Sequence, residues 1–390
     1  MRIAVFYFVY FVAQGCLVPY LPPYYESLGL TGAQFATLAS IAPLIMVFAP
    51  PVWGFIADRS GNPARILQLA MLGSALSFLP MLATHSFAGL AAVLALQGLF
   101  ATSITALADT VAVVEARRIG TDYGRLRLWG SLGFVVGATG FSAWIARGYA
   151  VETVLLAGAI GLFCAALTTL TLPQSKPAGT FVPPSLRDAA RLLHNGAFVA
   201  FMLAGLLHWA AMQSYYLHYA LHVKKLGLST HYVGIGIACG IVTEVALMWS
   251  FRGMLKRMPL LPFLALAIGS SIIRWALTAS LTAGPGLAAT QAFHGLSFAV
   301  YYIGSIAYLE QNTPESLRAT GRALLTALSW GIGGILGNHI AGRLYDWGGT
   351  AASYYGASAL EALALIPLLL CGILNARRER ASGAAETLPG

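Results

Sequence analysis

Five ionisable side chains stand deep inside long apolar runs: Asp109, Arg127, Glu244, Arg274 and His294. An ionisable group in mid-hydrocarbon is expensive, so each marks a functional site and needs a partner. Their spacing supplies the partners. Asp109 and Arg127 are symmetric about residue 118, inside a basic turn. With a rise of 1.5 Å per residue, each lies at most about 13 Å from that turn, at similar depth. Arg274 and His294 are symmetric about Gly284 in the turn Thr282-Ala283-Gly284-Pro285-Gly286. Each is about 15 Å from it by the same rise. Glu244 and Arg274 are symmetric about Pro259 and are expected to meet. Such groups can hold a polar solute and exchange a proton. Glu244 is the candidate proton carrier, because a carboxyl in an apolar setting suits proton exchange. The alternative is a set of buried ion pairs that only fix helix register.

Other chemistries find no support. No nucleophile–base or metal-ligand spacing occurs in a loop, so no enzyme, metal or cofactor is expected. Cys16, Cys164, Cys239 and Cys371 lie in apolar runs without a CxxC pair, which indicates neither a disulfide framework nor a metal site. Gly331-Ile332-Gly333-Gly334-Ile335-Leu336-Gly337 imitates a dinucleotide fingerprint but lacks the flanking soluble strand. The net charge of +9 is better explained by cytoplasmic loops than by nucleic-acid binding.

The elements that must position these groups follow from composition. Of 390 residues, 58% are hydrophobic and 9% charged, with mean hydropathy +0.73. A soluble chain is about 25% charged, so a soluble enzyme, a secreted disulfide domain and a disordered chain are excluded. Twelve apolar segments are each long enough for a helix: 3–25, 35–57, 66–84, 87–113, 124–146, 151–172, 197–221, 230–251, 260–281, 286–309, 319–343 and 351–374. The expected fold is an all-α membrane protein with twelve transmembrane helices in two six-helix halves. The halves are 1–172 and 197–374. A central cytoplasmic loop, 173–196, separates them, and a disordered cytoplasmic tail, 375–390, follows. The run after Met1-Arg2 has no signal-peptide cleavage site and reads as the first span.

Basic residues set the orientation. With a cytoplasmic N-terminus, eighteen cations fall in inside loops and four (Arg147, Lys224, Lys225 and Arg343) in outside loops. Both termini are then cytoplasmic. The halves are faintly alike. Ser27-Leu28-Gly29-Leu30-Thr31 corresponds to Lys225-Leu226-Gly227-Leu228-Ser229, and Gln14 to Gln213 in the first and seventh spans. Gly130, Gly133, Gly137 and Gly140 give the fifth span one small face for close helix contact.

These residues carry a resemblance. Gly54-Phe55-Ile56-Ala57-Asp58-Arg59, followed by Arg65, looks like the loop signature of the major facilitator superfamily. Tyr123-Gly124-Arg125-Leu126-Arg127 through Phe134 resembles the fifth span of its phenylpropionate permease-like branch, related to lactose permease and the nucleoside–proton symporters. Thr243-Glu244 and Gln291-Ala292-Phe293-His294-Gly295-Leu296-Ser297-Phe298 also resemble that branch. The resemblance implies that Asp109, Arg127 and Phe134 hold substrate. It implies that Glu244, Arg274 and His294 couple protonation to rocking, and that Gly54, Asp58, Arg59 and Arg65 gate the cytoplasmic side. Gln14, Gln213, Gln291 and Tyr216 complete the expected binding set. Two positions depart from the lactose permease pattern. Ser297 replaces the proton-carrying acid and Gln291 replaces a lysine, so the coupling acid is expected to be Glu244 or Asp109. The implied activity is proton-coupled import of a small organic solute, such as an aromatic acid, a nucleoside or a sugar, by a monomer in a bacterial inner membrane. The alternatives are a proton-driven exporter of amphipathic compounds and a non-transporting membrane sensor.

Overall fold

A computed structural model describes residues 1–173, 186–255 and 259–386 of the chain. Among the described residues every regular element is helical. The helices are α1 (Arg2–Ser27), α2 (Gly32–Met46), α3 (Ala49–Ser60), α4 (Pro63–Phe78), α5 (Phe87–Ile119), α6 (Tyr123–Ala146), α7 (Thr153–Thr169), α8 (Leu186–Leu193), α9 (Gly196–Lys225), α10 (His231–Leu255), α11 (Leu260–Ser280), α12 (Gly284–Thr290), α13 (Tyr301–Asn312), α14 (Arg318–Thr326) and α15 (Gly334–Glu386). Ten stretches are long and apolar enough to cross a membrane, and α7 is a shorter apolar helix of 17 residues. Outward side chains such as Leu44, Val242, Ile366 and Leu369 are exposed and apolar, as a lipid-facing surface requires. The molecule is a multi-pass membrane protein.

Local chemistry explains the boundaries. Thr31 caps α2 in a capping box with Gln34, and Asn62, Ser86 and Asn195 cap α4, α5 and α9. The segment 35–57 divides at Val47-Phe48, just ahead of Pro50-Pro51, because proline cannot donate the next helical bond. Gly120 ends α5 with φ 67°, where an L side chain would be strained. The longest helix, α15, passes through non-helical backbone at Gly348 and at Gly349 (φ 71°), so two rods, 334–347 and 350–386, follow one another. The second rod continues to Glu386, so 375–386 is helical where a disordered tail is expected from the sequence. Lys176 and most of the central loop, Lys256 and Arg257, and residues 387–390 lie outside the described residues.

The small face of α6 acts as expected at Gly133 and Gly137. A methyl group there would collide with the backbone of Phe8 and Val12 on α1. Gly130 faces the side chains of Arg127 and Phe11, while Gly140 faces open space.

Helices before residue 173 meet those after 196 through a defined set of bonds. Asp346 accepts hydrogen bonds from the Gly32 and Ala33 amides at the N-terminus of α2, at 2.6 and 2.8 Å. Glu26 pairs with Lys224 (2.8 Å) and Lys225 (2.7 Å) and accepts from Tyr345 (2.8 Å). Ser142 and Thr230 bond each other's backbone carbonyls. Asn338 donates to Ser40 at 3.3 Å. All of these lie between mid-bundle and the Glu26 end. Asp58, Arg59 and Arg65, at the opposite end, contribute none of them.

Candidate functional site

Asp109 descends on α5, and Arg127 rises one turn into α6. The structure brings them together through an intermediary, not through the direct ion pair that their spacing suggests. Tyr7 of α1 donates to Asp109 Oδ1 at 2.5 Å. The Arg127 guanidinium lies over the rings of Phe11 (4.4 Å) and Tyr7 (5.4 Å). Its charge is therefore held by aromatic faces, and its hydrogen-bond donors are left for another acceptor. Both ionisable residues are half-buried.

The second cluster is built by α9, α10, α11 and the irregular stretch between α12 and α13. Arg274 is fully buried. Its Nε and Nη2 donate to Gln291 Oε1 at 3.3 and 2.6 Å, and its Nη1 reaches Ser297 Oγ at 3.0 Å and His294 Nδ1 at 3.1 Å. The rings of Tyr215 (4.7 Å) and Trp275 (4.2 Å) flank it. The expected Glu244–Arg274 pair does not form, because every bonded Arg274 donor goes to the Gln291–Ser297 stretch. His294 stands between them, with Nε2 3.7 Å from Glu244 Oε2. Arginine can only donate, so His294 Nδ1 accepts and its ring proton sits on Nε2, facing Glu244. Gln291, at the lysine position of the resembling family, supplies the neutral acceptor that Arg274 needs.

The stretch that carries these residues is tightly placed. Gln291–Phe293 forms a 3₁₀ turn and Gly295–Val300 a π-helical turn. Gly295 passes so close to α10 that an added Cβ would meet the Thr243 carbonyl carbon at 2.6 Å. Single π-turns inside α-helices commonly sit at functional sites.

The two clusters lie close enough to interact electrostatically. Glu244 lies within electrostatic reach of Arg127, and Tyr302 within reach of both Asp109 and Arg127. The remaining expected binding residues are placed as follows. Gln14 is half-buried and makes no side-chain hydrogen bond among the described residues. Gln213 is buried, its amide turned back to the Trp209 carbonyl at 3.2 Å. Tyr216 is half-buried against Tyr215. Phe134 is half-buried, its backbone pressed on Gly15 of α1. Asp58, Arg59 and Arg65 are exposed on α3 and α4 without an ion pair among the described residues, and Gly54 faces open space.

Sequence reasoning misses several partners. Tyr7 reads as one aromatic among many. Glu361 is an ionisable residue inside the apolar run 351–374, a signal present in the sequence, and it pairs with His208 in full burial. Glu115, also buried, pairs with Arg118 at 2.7 Å. Among the described residues no group of His, Cys, Asp and Glu could hold a metal ion.

A model of the MFS_1 like family matches residues 1–356. The chain belongs to this family. An MFS_1-like protein is a membrane transporter, not an enzyme. The maltose permease of Geobacillus stearothermophilus is 26% identical over 97% of this chain and 95% of its own length. An Escherichia coli protein described as a probable 3-phenylpropionic acid transporter is 24% identical, over 94% of each chain. The crystal structure of the nucleoside transporter NupG superposes with a TM-score of 0.82 at 18% identity, over 96% of this chain and 98% of that one. The NupG likeness establishes the fold of this MFS_1-like chain, with helices long enough to make it a multi-pass protein of the membrane.

Proposed function

We propose that this chain is a proton-coupled symporter that imports a small organic solute by alternating access. The observation that carries the reading is the pair of mid-span charge clusters within electrostatic reach of each other, Asp109–Tyr7–Arg127 in one and Glu244–His294–Arg274 in the other. Division of the last long stretch at Gly348-Gly349, with α7 counted as a span, brings ten crossing stretches to twelve. Two six-helix halves, 1–172 and 197–374, follow from that count. Both termini are then on the basic side, in the cytoplasm of a bacterium, and the protein works as a monomer in the inner membrane. In this reading the Glu26 end faces outward, and its bonds fit an inward-open state.

In this reading Arg127 and Asp109 hold the polar part of the solute, and Phe134, Tyr216 and Tyr302 flank a ring. Gln14, with its free amide, and Gln213 and Gln291 supply neutral hydrogen bonds. Glu244 takes up the proton beside His294, and Arg274 fixes the histidine tautomer. Asp58, Arg59 and Arg65, with Gly54 on the same hairpin, pair across the inner end when the transporter rocks outward. The relatives described as a maltose permease and a probable 3-phenylpropionic acid transporter support a sugar or an aromatic acid, and the fold shared with NupG supports a nucleoside.

The test is counterflow. Proteoliposomes preloaded with maltose, uridine or 3-phenylpropionate are diluted into the same labelled solute. Transient accumulation with one of them, abolished by Arg127→Ala, supports the reading. Counterflow with none, together with toxin sensitivity in cells lacking the protein, favours the exporter.

A further inference from the structure

His208 on α9 and Glu361 on α15 form an ion pair that the cavity chemistry above leaves unused. Both side chains are fully buried, with His208 Nδ1 2.8 Å from Glu361 Oε2. The other imidazole nitrogen, Nε2, lies 2.9 Å from the backbone carbonyl of Ser297. That carbonyl can only accept, so Nε2 carries a hydrogen. The Nδ1–Oε2 contact must then also contain a proton, because without one two lone pairs would face each other at hydrogen-bond distance. The pair therefore holds one exchangeable proton, as imidazolium with carboxylate or as imidazole with carboxylic acid. Releasing it leaves a neutral Nε2–H imidazole and a carboxylate toward which Trp275 Nε1 still donates at 3.4 Å.

Two features tie this pair to the transport cycle. Ser297 belongs to the π-helical turn Gly295–Val300, and its Oγ accepts from Arg274, the cation of the cavity cluster. The same residue thus fixes the His208 tautomer with its carbonyl and reports the position of Arg274 with its hydroxyl. The second feature is a polar lane. The Tyr301 ring lies tilted against His208 with ring centroids 4.0 Å apart, and the Tyr301 and Ser329 hydroxyls are buried without partners among the described residues. A Cβ added at Gly205, three residues before His208 on α9, would sit 3.5 Å from both hydroxyls. Both hydroxyls therefore lie near one point beside Gly205, on the α9 N-terminal side of the pair. The titratable and charged groups around the pair are Tyr301 from α13, Arg274 from α11, His294 beyond Ser297, and Tyr354 on the rod that carries Glu361.

We propose that His208–Glu361 is a proton site of the transport cycle, filled in the inward-open state proposed above and emptied toward the cytoplasm past the Tyr301 and Ser329 hydroxyls. The inference deepens the symport reading and rests on it. The experiment uses proteoliposomes with an internal pH dye and whichever of maltose, uridine and 3-phenylpropionate the wild type exchanges. Wild type, Glu361→Gln and His208→Gln are compared in two assays: exchange of labelled solute at equal concentrations, and solute-driven acidification. Both variants are expected to keep exchange and to lose acidification to the level of protein-free liposomes. Acidification at the wild-type rate in either variant overturns the assignment. Loss of exchange together with acidification in both also overturns it, because the pair then only holds helices together. Exchange without acidification in the wild type itself sinks the symport reading and this site with it. Wild-type acidification that survives in the variants sinks the site alone.

Discussion

Asp346 gives the sharpest handle on alternating access. Its carboxylate takes two amide hydrogen bonds from the N-terminus of α2, joining a helix after residue 196 to one before residue 173. In the proposed alternating-access cycle both bonds break when the Glu26 end opens, so they stabilise one state only. Hydrogen bonds to a charged acceptor are worth about 1.5–3 kcal/mol each where water is excluded, and the helix dipole adds to them. Asp346 is exposed, so solvent screening reduces the total to about 1 kcal/mol. Asp346→Ala should therefore raise the ratio of outward-open to inward-open molecules about fivefold. Asp346→Asn, which can still accept, should do less. The assay is pulsed electron paramagnetic resonance on spin labels at His85→Cys and Thr282→Cys, in a chain stripped of its four native cysteines. Both labels lie in turns at the Glu26 end. A growing population at longer distance is the expected result. A distribution identical to that of the parent, or a shift to shorter distance, would refute the latch.

Three further outcomes follow from the same geometry. Tyr7→Phe deletes the hydrogen bond to Asp109 and should raise the half-saturating solute concentration in counterflow about three- to tenfold, the ordinary worth of one such bond. An unchanged value would detach Tyr7 from the site. Gly295→Val drives a side chain into the Thr243 backbone. It should cost about 1–3 kcal/mol of stability, read as a lower melting temperature in detergent. Arg274→Leu strands Gln291, His294 and Ser297 without their donor. Leaving these buried acceptors unsatisfied costs about 1–3 kcal/mol, so a melting temperature equal to that of the wild type would contradict the network.

The membrane class and the mid-span charges were legible because hydrocarbon tolerates so few ionisable residues. Asp109, Arg127, Glu244, Arg274 and His294 stand out of an apolar background. Hairpin symmetry placed them at matching depth, and in the structure His294 bridges Arg274 and Glu244 while Glu244 lies within electrostatic reach of Arg127. Symmetry in depth says nothing about rotation around each helix axis. It therefore cannot tell that Tyr7 comes between Asp109 and Arg127, or that Arg274 turns to Gln291 and Ser297 and leaves His294 beside Glu244. The π-turn at Gly295–Val300 re-aims that stretch, and no local sequence rule announces it. Glu361 was readable by the same argument as the other charges. Its histidine partner, 153 positions away on another helix, was not. The helical continuation through Glu386 also escapes composition, since Arg377, Arg378 and Arg380 look like a solvated tail.

The most direct measurement is solute-driven proton entry into liposomes that carry the purified protein and an internal pH dye. Wild type and Glu244→Gln are compared with maltose, uridine and 3-phenylpropionate, and protein-free liposomes give the baseline for the permeant acid. Acidification with the solute that shows counterflow, lost in Glu244→Gln, is the predicted result. Counterflow of that solute with no acidification in the wild type, or acidification undiminished in Glu244→Gln, would contradict the account.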